Sequence, residues 1–118
     1  MSLGTLTVIL QKAELEHDTE IWGKMDPFVI FKYGDVVKES KVVKKGGKMP
    51  VWDETFTFDI KSLDDDISFE VMDKETIKKD DFVGGGKLNI AKAVKEGGTL
   101  NWYDIKYEVT FEGKVLKE

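Results

Sequence analysis

Two segments of the chain concentrate carboxylates and lack the alternating pattern of a strand. They span residues 14–26 and 73–81, and their acidic members are Glu14, Glu16, Asp18, Glu20, Asp26, Asp73, Glu75, Asp80 and Asp81. Carboxylates held close together repel one another, and a bound cation relieves that repulsion. Hard oxygen ligands on flexible loops suit Ca²⁺, which takes about six to eight of them. If the two segments meet, they predict a calcium site; the alternative is two solvated acidic loops.

A basic segment lies between the two acidic ones. It contains six lysines and two acidic residues, so residues 32–48 carry a net charge of six minus two, or +4, within a chain of net charge -5. The lysines are Lys32, Lys38, Lys41, Lys44, Lys45 and Lys48, and the acidic residues are Asp35 and Glu39. Each basic residue near an anionic membrane contributes about 1 kcal/mol of attraction. The chain has no Arg, which favours point-charge attraction over bidentate phosphate recognition. The segment predicts an anionic-lipid patch or, equally, an edge strand that lysines protect from aggregation.

Three apolar residues interrupt the acidic segments, namely Ile21, Trp22 and Ile77. Such residues either pack back onto the domain or stay exposed at the loop tips. Exposed tips beside a metal site are suited to a membrane interface, where Trp is favoured.

Catalytic and nucleic-acid-binding constellations are missing from the sequence. There is no Cys, and His17 is the sole histidine, so few nucleophile–base pairs can be built. The Gly-rich segment 84–87 lacks the spacing of a phosphate-binding loop, and the Asp triplet 64–66 lacks the distal Glu of a helix-loop-helix calcium site, so we interpret it as a turn. A net-negative chain without Arg is a poor partner for nucleic acid. We therefore predict a binding module that is not an enzyme.

The elements that must position these residues show a period of two. Leu6, Val8 and Leu10 alternate with Thr7, Ile9 and Gln11. In the same way Phe56 and Phe58 alternate with polar residues, and this period is typical of strands with one buried face. Strands are predicted near 5–13, 27–33, 36–45, 54–60, 67–73, 82–90, 100–106 and 107–116, and one short helix over 91–96. This pattern predicts an all-β, eight-stranded antiparallel Greek-key β-sandwich. Loops gather at the two ends of a sandwich, so the acidic segments can meet there.

Length and composition predict one domain over residues 1–118, with residues 1–3 set aside as a candidate tag remnant. No apolar run is long enough to span a bilayer, and the N-terminus lacks a secretory signal. Together with the absence of Cys, this predicts a cytoplasmic monomer that associates peripherally with membranes.

Four segments, in order, resemble a C2 domain, the calcium- and phospholipid-binding β-sandwich. They are Gly4-Thr5-Leu6-Thr7-Val8 with Ala13-Glu14-Leu15, Gly23-Lys24-Met25-Asp26-Pro27-Phe28-Val29, Pro50-Val51-Trp52-Asp53-Glu54-Thr55-Phe56, and Val71-Met72-Asp73 followed by Asp80-Asp81-Phe82-Val83-Gly84. The resemblance covers roughly residues 4 to 112.

The resemblance implies a set of calcium ligands. Matched by position, they are Glu20, Asp26, Asp73, Glu75 and Asp81, with Asp18 as a substitute near Glu20. Glu20 and Glu75 depart from the family's usual Asp, and the added methylene moves each carboxylate outward by about 1.5 Å and adds rotamer entropy.

The resemblance also implies a function. It places Ile21 and Ile77 at bilayer-entering loop tips, matches the Lys-rich segment to a polybasic patch, and implies the type II strand order. The sequence thus predicts calcium-dependent binding to anionic phospholipid membranes through two acidic loops, aided by a Lys-rich face. The alternative is a calcium-independent module for a phosphoinositide or a protein partner.

Overall fold

The computed structural model describes residues 3–16, 18–20, 23–96, 100–105 and 109–117. Within them the chain forms eight strands and one helix: β1 (Gly4–Glu14), β2 (Pro27–Tyr33), β3 (Val36–Glu39), β4 (Val51–Ile60), β5 (Asp66–Asp73), β6 (Asp81–Asn89), α1 (Ile90–Glu96), β7 (Leu100–Ile105) and β8 (Val109–Lys117). No helix among these described residues is long and apolar enough to cross a bilayer.

The strands form two four-stranded antiparallel sheets. Their orders are β4-β1-β8-β7 and β3-β2-β5-β6. β1 pairs with β8 from Leu6↔Lys117 to Glu14↔Thr110, so the first and last strands are neighbours. The predicted antiparallel sandwich is confirmed, and β1 leads directly into the first acidic segment, as the expected type II strand order requires.

Alternation along the strands builds the core between the sheets. Leu6, Val8 and Leu10 of β1 are buried, as the period of two predicts. Phe31 lies near the centre, with ring centroids 5.0 Å from Phe56 and 6.2 Å from Phe58. Each fully buried side chain of this kind contributes about 1.5–3 kcal/mol of transfer free energy, so the sandwich is a firm base for its loops.

The short helix begins one residue earlier than predicted. Asn89 precedes it and accepts a hydrogen bond at Oδ1 from the backbone N–H of Lys92 at 2.8 Å, which satisfies one of the first-turn donors. Ile90 and Ala93 are buried and anchor the helix to the core.

A bulge in β4 explains why that strand begins at Val51 rather than near residue 54. Between Leu10↔Glu54 and Lys12↔Val51, two residues of β4 oppose one of β1. Asp53, one of the extra pair, has a φ of 50°, and Trp52 is buried beside it. The Trp52 indole donates a hydrogen bond to the carbonyl oxygen of Lys41 at 3.1 Å, and Glu54 Oε1 accepts one from the Lys41 N–H at 2.6 Å.

The predicted strand over 36–45 is too long, because β3 ends at Glu39. The Ser40 hydroxyl oxygen accepts a hydrogen bond from the Val29 N–H at 2.8 Å, and the Ser40 N–H donates to the Val29 carbonyl oxygen. Residues 40–50 then leave the ladder as a loop, here named the third loop. Gly46 permits its fold because a Cβ there would lie 2.9 Å from Val43 Cγ1, and Gly47 adopts a φ of 62°.

Candidate metal centre

The two acidic segments meet because their flanking strands are hydrogen-bonded neighbours. The first loop, residues 15–26, enters β2, and the second loop, residues 74–80, leaves β5. β2 and β5 pair in the register Pro27↔Asp73, and the Lys74 N–H donates to the Asp26 carbonyl oxygen at 3.0 Å. One end of one sheet therefore holds both loops.

Four carboxylates converge at this end of the sandwich. Each member of the acidic cluster offers an oxygen, and these oxygens all lie within 4.8 Å of one another; the members are Glu20, Asp73, Glu75 and Asp81. Asp73 and Asp81 sit directly opposite each other across the β5–β6 ladder. Hard oxygen donors at this spacing fit a cation such as Ca²⁺.

Asp73 is the fully buried member of the cluster, with 0% of its surface exposed. Its Oδ2 accepts a hydrogen bond from the Thr19 hydroxyl at 2.7 Å, and its Oδ1 accepts one from the Asp26 N–H at 2.8 Å. A buried carboxylate needs such donors to offset its lost hydration. Asp73 thereby ties the first loop to the end of β5.

Proximity shifts the pKa values of the other members. A hydrogen bond shared with Asp73, and a further one with Glu75, raises the pKa of Glu20 to about 7. A hydrogen bond shared with Asp81 raises the pKa of Glu75, and the same bond, followed by the nearby ammonium group of Lys78, lowers the pKa of Asp81. Near neutral pH the cluster can therefore hold a proton, as expected of carboxylates forced together.

Asp81 carries the oxygen that best marks the cluster as a cation site. Its Oδ2 is buried and has no hydrogen-bond partner among the described residues. Lys78 Nζ lies 3.3 Å from that oxygen and 3.9 Å from Glu75 Oε2. Positive charge is thus already drawn to these two carboxylates.

Two of the expected ligands, Asp26 and Asp18, do not belong to the four-residue cluster. Asp26 Oδ1 accepts a hydrogen bond from the Lys45 N–H at 2.7 Å, so its carboxylate holds the third loop. Asp18 Oδ1 accepts one from the Glu20 N–H at 2.9 Å and shapes the first loop locally.

The apolar tip of the second loop points into solvent, since Ile77 is 98% exposed. The other two expected membrane contacts, Ile21 and Trp22, lie outside the described residues, as does His17.

The six lysines of the basic segment do not share one face. Lys32 lies on β2, 3.8 Å from Glu70 Oε1, and Lys38 lies on β3, where its ammonium donates to the Thr57 carbonyl oxygen and sits 5.1 Å from the Phe58 ring centroid. The other four, Lys41, Lys44, Lys45 and Lys48, are exposed on the third loop.

The third loop reaches the acidic end, which the sequence reasoning did not foresee. Its Gly47 N–H donates to the Met25 carbonyl oxygen at 3.0 Å, and Lys45 helps line a cleft of about 550 Å³ with Lys24, Lys74, Glu20 and Glu75. Met49, also on this loop, is 71% exposed. The pair Gly46-Gly47 was the available signal, because two adjacent glycines interrupt a strand.

The chain belongs to the C2 domain family. The family model for the C2 domain matches residues 4–105, which include the acidic cluster and all six lysines. The predicted family is confirmed, and with it the general class of lipid- and membrane-binding modules.

Two curated relatives each match most of this chain. Ingression protein fic1 of Schizosaccharomyces pombe is 32% identical over 119 residues, and elicitor-responsive protein 1 of Oryza sativa subsp. japonica is 31% identical over 99 residues. These matches cover 96% and 78% of this chain, and the chain spans 42% and 62% of the respective relatives' lengths.

Solved structures agree on the fold. A C2 domain of plant extended synaptotagmin 1 superposes with a TM-score of 0.86 at 22% identity, covering 100% of this chain and 96% of that one. A calcium-bound structure of the paired C2 domains of extended synaptotagmin 2 superposes with a TM-score of 0.87 at 21% identity, covering 99% of this chain and 46% of that one.

Proposed function

We propose that this C2 domain binds anionic phospholipid membranes in a calcium-dependent manner through its two acidic loops. The observation that carries the proposal is the convergence of four carboxylates within 4.8 Å beside the exposed Ile77. Calcium is held by Glu20, Asp73, Glu75 and Asp81, and Asp26 joins them if its carboxylate turns away from Lys45. Asp18 is a reserve ligand next to Glu20.

The charge of the cluster supports a switch. Without a cation, the clustered carboxylates repel anionic headgroups. The ammonium group of Lys78 forms ion pairs with Glu75 and Asp81, so it balances only part of the negative charge of the acidic cluster. Calcium supplies two positive charges and open coordination positions that anionic oxygens can take. Membrane contact then follows calcium binding rather than preceding it.

Apolar and basic groups at the same end support docking. Transfer of the exposed Ile77 side chain from water into the membrane interface is favourable. Ile21 and Trp22 are expected to add to this favourable transfer free energy. The exposed third-loop lysines add electrostatic attraction to anionic headgroups, and this attraction weakens as the salt concentration rises. The chain acts as a peripheral binder on the cytoplasmic face, where anionic lipids are concentrated.

Vesicle co-sedimentation tests the proposal directly. Wild-type protein is expected to pellet with phosphatidylcholine–phosphatidylserine vesicles in calcium and to stay in the supernatant in chelator. Asp81→Asn should lose most of the calcium-dependent fraction, because it removes one cluster charge. Asp64→Asn, which changes an exposed carboxylate at the other end of the sandwich, is the matched control and should behave as wild type. Equal pelleting in calcium and in chelator would contradict calcium-dependent membrane binding.

A second candidate function is favoured by the third loop. Its four exposed lysines could attract a phosphoinositide or an acidic protein without calcium. The triple variant Lys41→Glu/Lys44→Glu/Lys45→Glu should then abolish binding to phosphoinositide vesicles in chelator. Full retention of that binding would discard this candidate.

A further inference from the structure

Lys78 occupies a special place in the second loop. It lies three residues after Glu75 and three before Asp81, and both are members of the acidic cluster. Its Nζ is 3.9 Å from Glu75 Oε2 and 3.3 Å from Asp81 Oδ2, so one ammonium group spans two carboxylates. One of those oxygens is the buried Asp81 Oδ2, which no hydrogen-bond donor of the described chain satisfies.

We infer that Lys78 is a tethered counter-cation of the calcium site, which balances Glu75 and Asp81 in the metal-free protein and which calcium displaces. The inference rests on the proposed function and adds a competitor that is part of the same chain. Because Lys78 is covalently attached to the loop, its local concentration at the cluster does not depend on the salt in solution.

Displacement of the Lys78 side chain by calcium costs the fold little stability. The Lys78 side chain is 65% exposed, so it can rotate away without disturbing the core. Ion pairs this exposed are weak, whereas a divalent ion gains several oxygen ligands at once. The lysine therefore lowers calcium affinity without blocking the site.

The displaced ammonium group has a second use. Lys78 is flanked by Ile77, which is 98% exposed, and by the exposed Lys79. Once calcium has taken Glu75 and Asp81, the tip of the second loop presents an apolar side chain beside two basic ones. That combination suits an anionic membrane interface, and it forms only after the ion has bound.

Calcium titration by calorimetry tests the competitor. Lys78→Gln removes the tethered charge and is expected to tighten calcium binding about three- to ten-fold. Lys78→Arg keeps the charge and should remain within about two-fold of wild type. Lys79→Gln is the matched control, since Lys79 makes no ion pair with any described residue, and it should also remain within about two-fold.

Lys78→Gln is also expected to change calcium affinity and membrane binding in opposite directions. At saturating calcium, Lys78→Gln should bind phosphatidylserine vesicles more weakly than wild type although it binds calcium more tightly. If Lys78→Gln and Lys79→Gln have the same calcium affinity, the inference is overturned and the proposed function stands.

Failure of the proposed function is recognised separately. If wild type shows no calcium heat, urea unfolding in chelator decides whether Lys78 is a counter-cation. Lower stability of Lys78→Gln than of Lys79→Gln would keep that role, and equal stability would overturn it.

Discussion

Asp73 shows how a single carboxylate can serve both the fold and the site. It is fully buried, and each of its oxygens accepts a hydrogen bond, one from Thr19 and one from the Asp26 N–H. Each oxygen keeps a second lone pair, so the same carboxylate can also face a cation. Its structural role exists before any ion binds.

Replacing Asp73 by Ala should therefore destabilise the metal-free protein. The substitution leaves the Asp26 N–H and the Thr19 hydroxyl without their acceptor in a partly buried setting, which costs about 1–3 kcal/mol. Urea unfolding in chelator measures the loss. Asp64→Ala, at an exposed position, should stay within about 0.5 kcal/mol of wild type. Equal stability of the two variants would show that relief of repulsion within the cluster offsets the lost hydrogen bonds.

At the scale of elements, the bulge in β4 positions the third loop. Trp52 and Glu54 both bind the backbone of Lys41, and Asp53 between them adopts a φ of 50°. Asn and Asp tolerate this left-handed conformation better than other non-glycine residues. The bulge thus fixes where the loop leaves the sheet.

Substitution of Asp53 should follow that conformational requirement. Asp53→Val is expected to cost about 1–2 kcal/mol of unfolding free energy, because a β-branched side chain is strained at positive φ. Asp53→Asn should be close to neutral. Urea unfolding compares the two variants, and an equal loss for both would point to the carboxylate instead of the backbone.

The division of the lysines between strands and loop predicts unequal effects on membrane binding. Lys44→Glu/Lys48→Glu changes exposed third-loop charges at the acidic end, so it should weaken vesicle binding several-fold. Lys32→Glu/Lys38→Glu changes side chains that contact Glu70 and the Phe58 ring, and it should weaken binding less. Co-sedimentation at fixed calcium compares the pairs. A larger effect of the strand pair would move the contact surface from the loop end to the sheet.

For the whole molecule, the acidic cluster makes metal-free stability depend on pH. The pKa of Glu20 is raised from 4.5 to about 7 by its hydrogen bond to Asp73, so the native state holds a proton that the unfolded chain has released. Native stability therefore falls as pH rises through this window. The raised pKa of Glu75 acts in the same direction, whereas the lowered pKa of Asp81 acts below its ordinary value of 3.8.

Thermal unfolding in chelator tests this dependence over a range from about pH 5 to about pH 8, which brackets the raised pKa of Glu20. The melting temperature of wild type should decrease toward the alkaline limit, and Glu20→Gln should flatten the profile. Glu16→Gln, an exposed change in the same loop, should keep the wild-type slope. A melting temperature that rises over this range would contradict the assignment.

The sequence predicted the sandwich well because buried strands carry their own period. Leu6, Val8 and Leu10 alternate visibly, and the Asp-Pro and Pro-x-Trp segments mark a known order of elements. The convergence of Glu20 with Asp73, Glu75 and Asp81 followed from the meeting of loops at one end of such a fold.

Other features could not be predicted because they depend on which of several possible partners a side chain binds in the folded protein. The Asp26 carboxylate binds the Lys45 N–H instead of joining the cluster, and Ser40 ends β3 by binding Val29. Neither choice leaves a trace in periodicity or charge. Lys78 was overlooked for the same reason, since a lysine in a loop gives no sign of the carboxylates that it meets.

The Asp26 amide hydrogen bond to Asp73 also gives the site a spectroscopic reporter. The Asp26 amide nitrogen lies 2.8 Å from the Asp73 carboxylate oxygen, so we expect its proton to resonate downfield and to exchange slowly with solvent. The Lys45 amide, bound to the Asp26 carboxylate, forms the next link toward the third loop. Two backbone signals from the native chain can therefore register events at the cluster and at the third loop without any added probe.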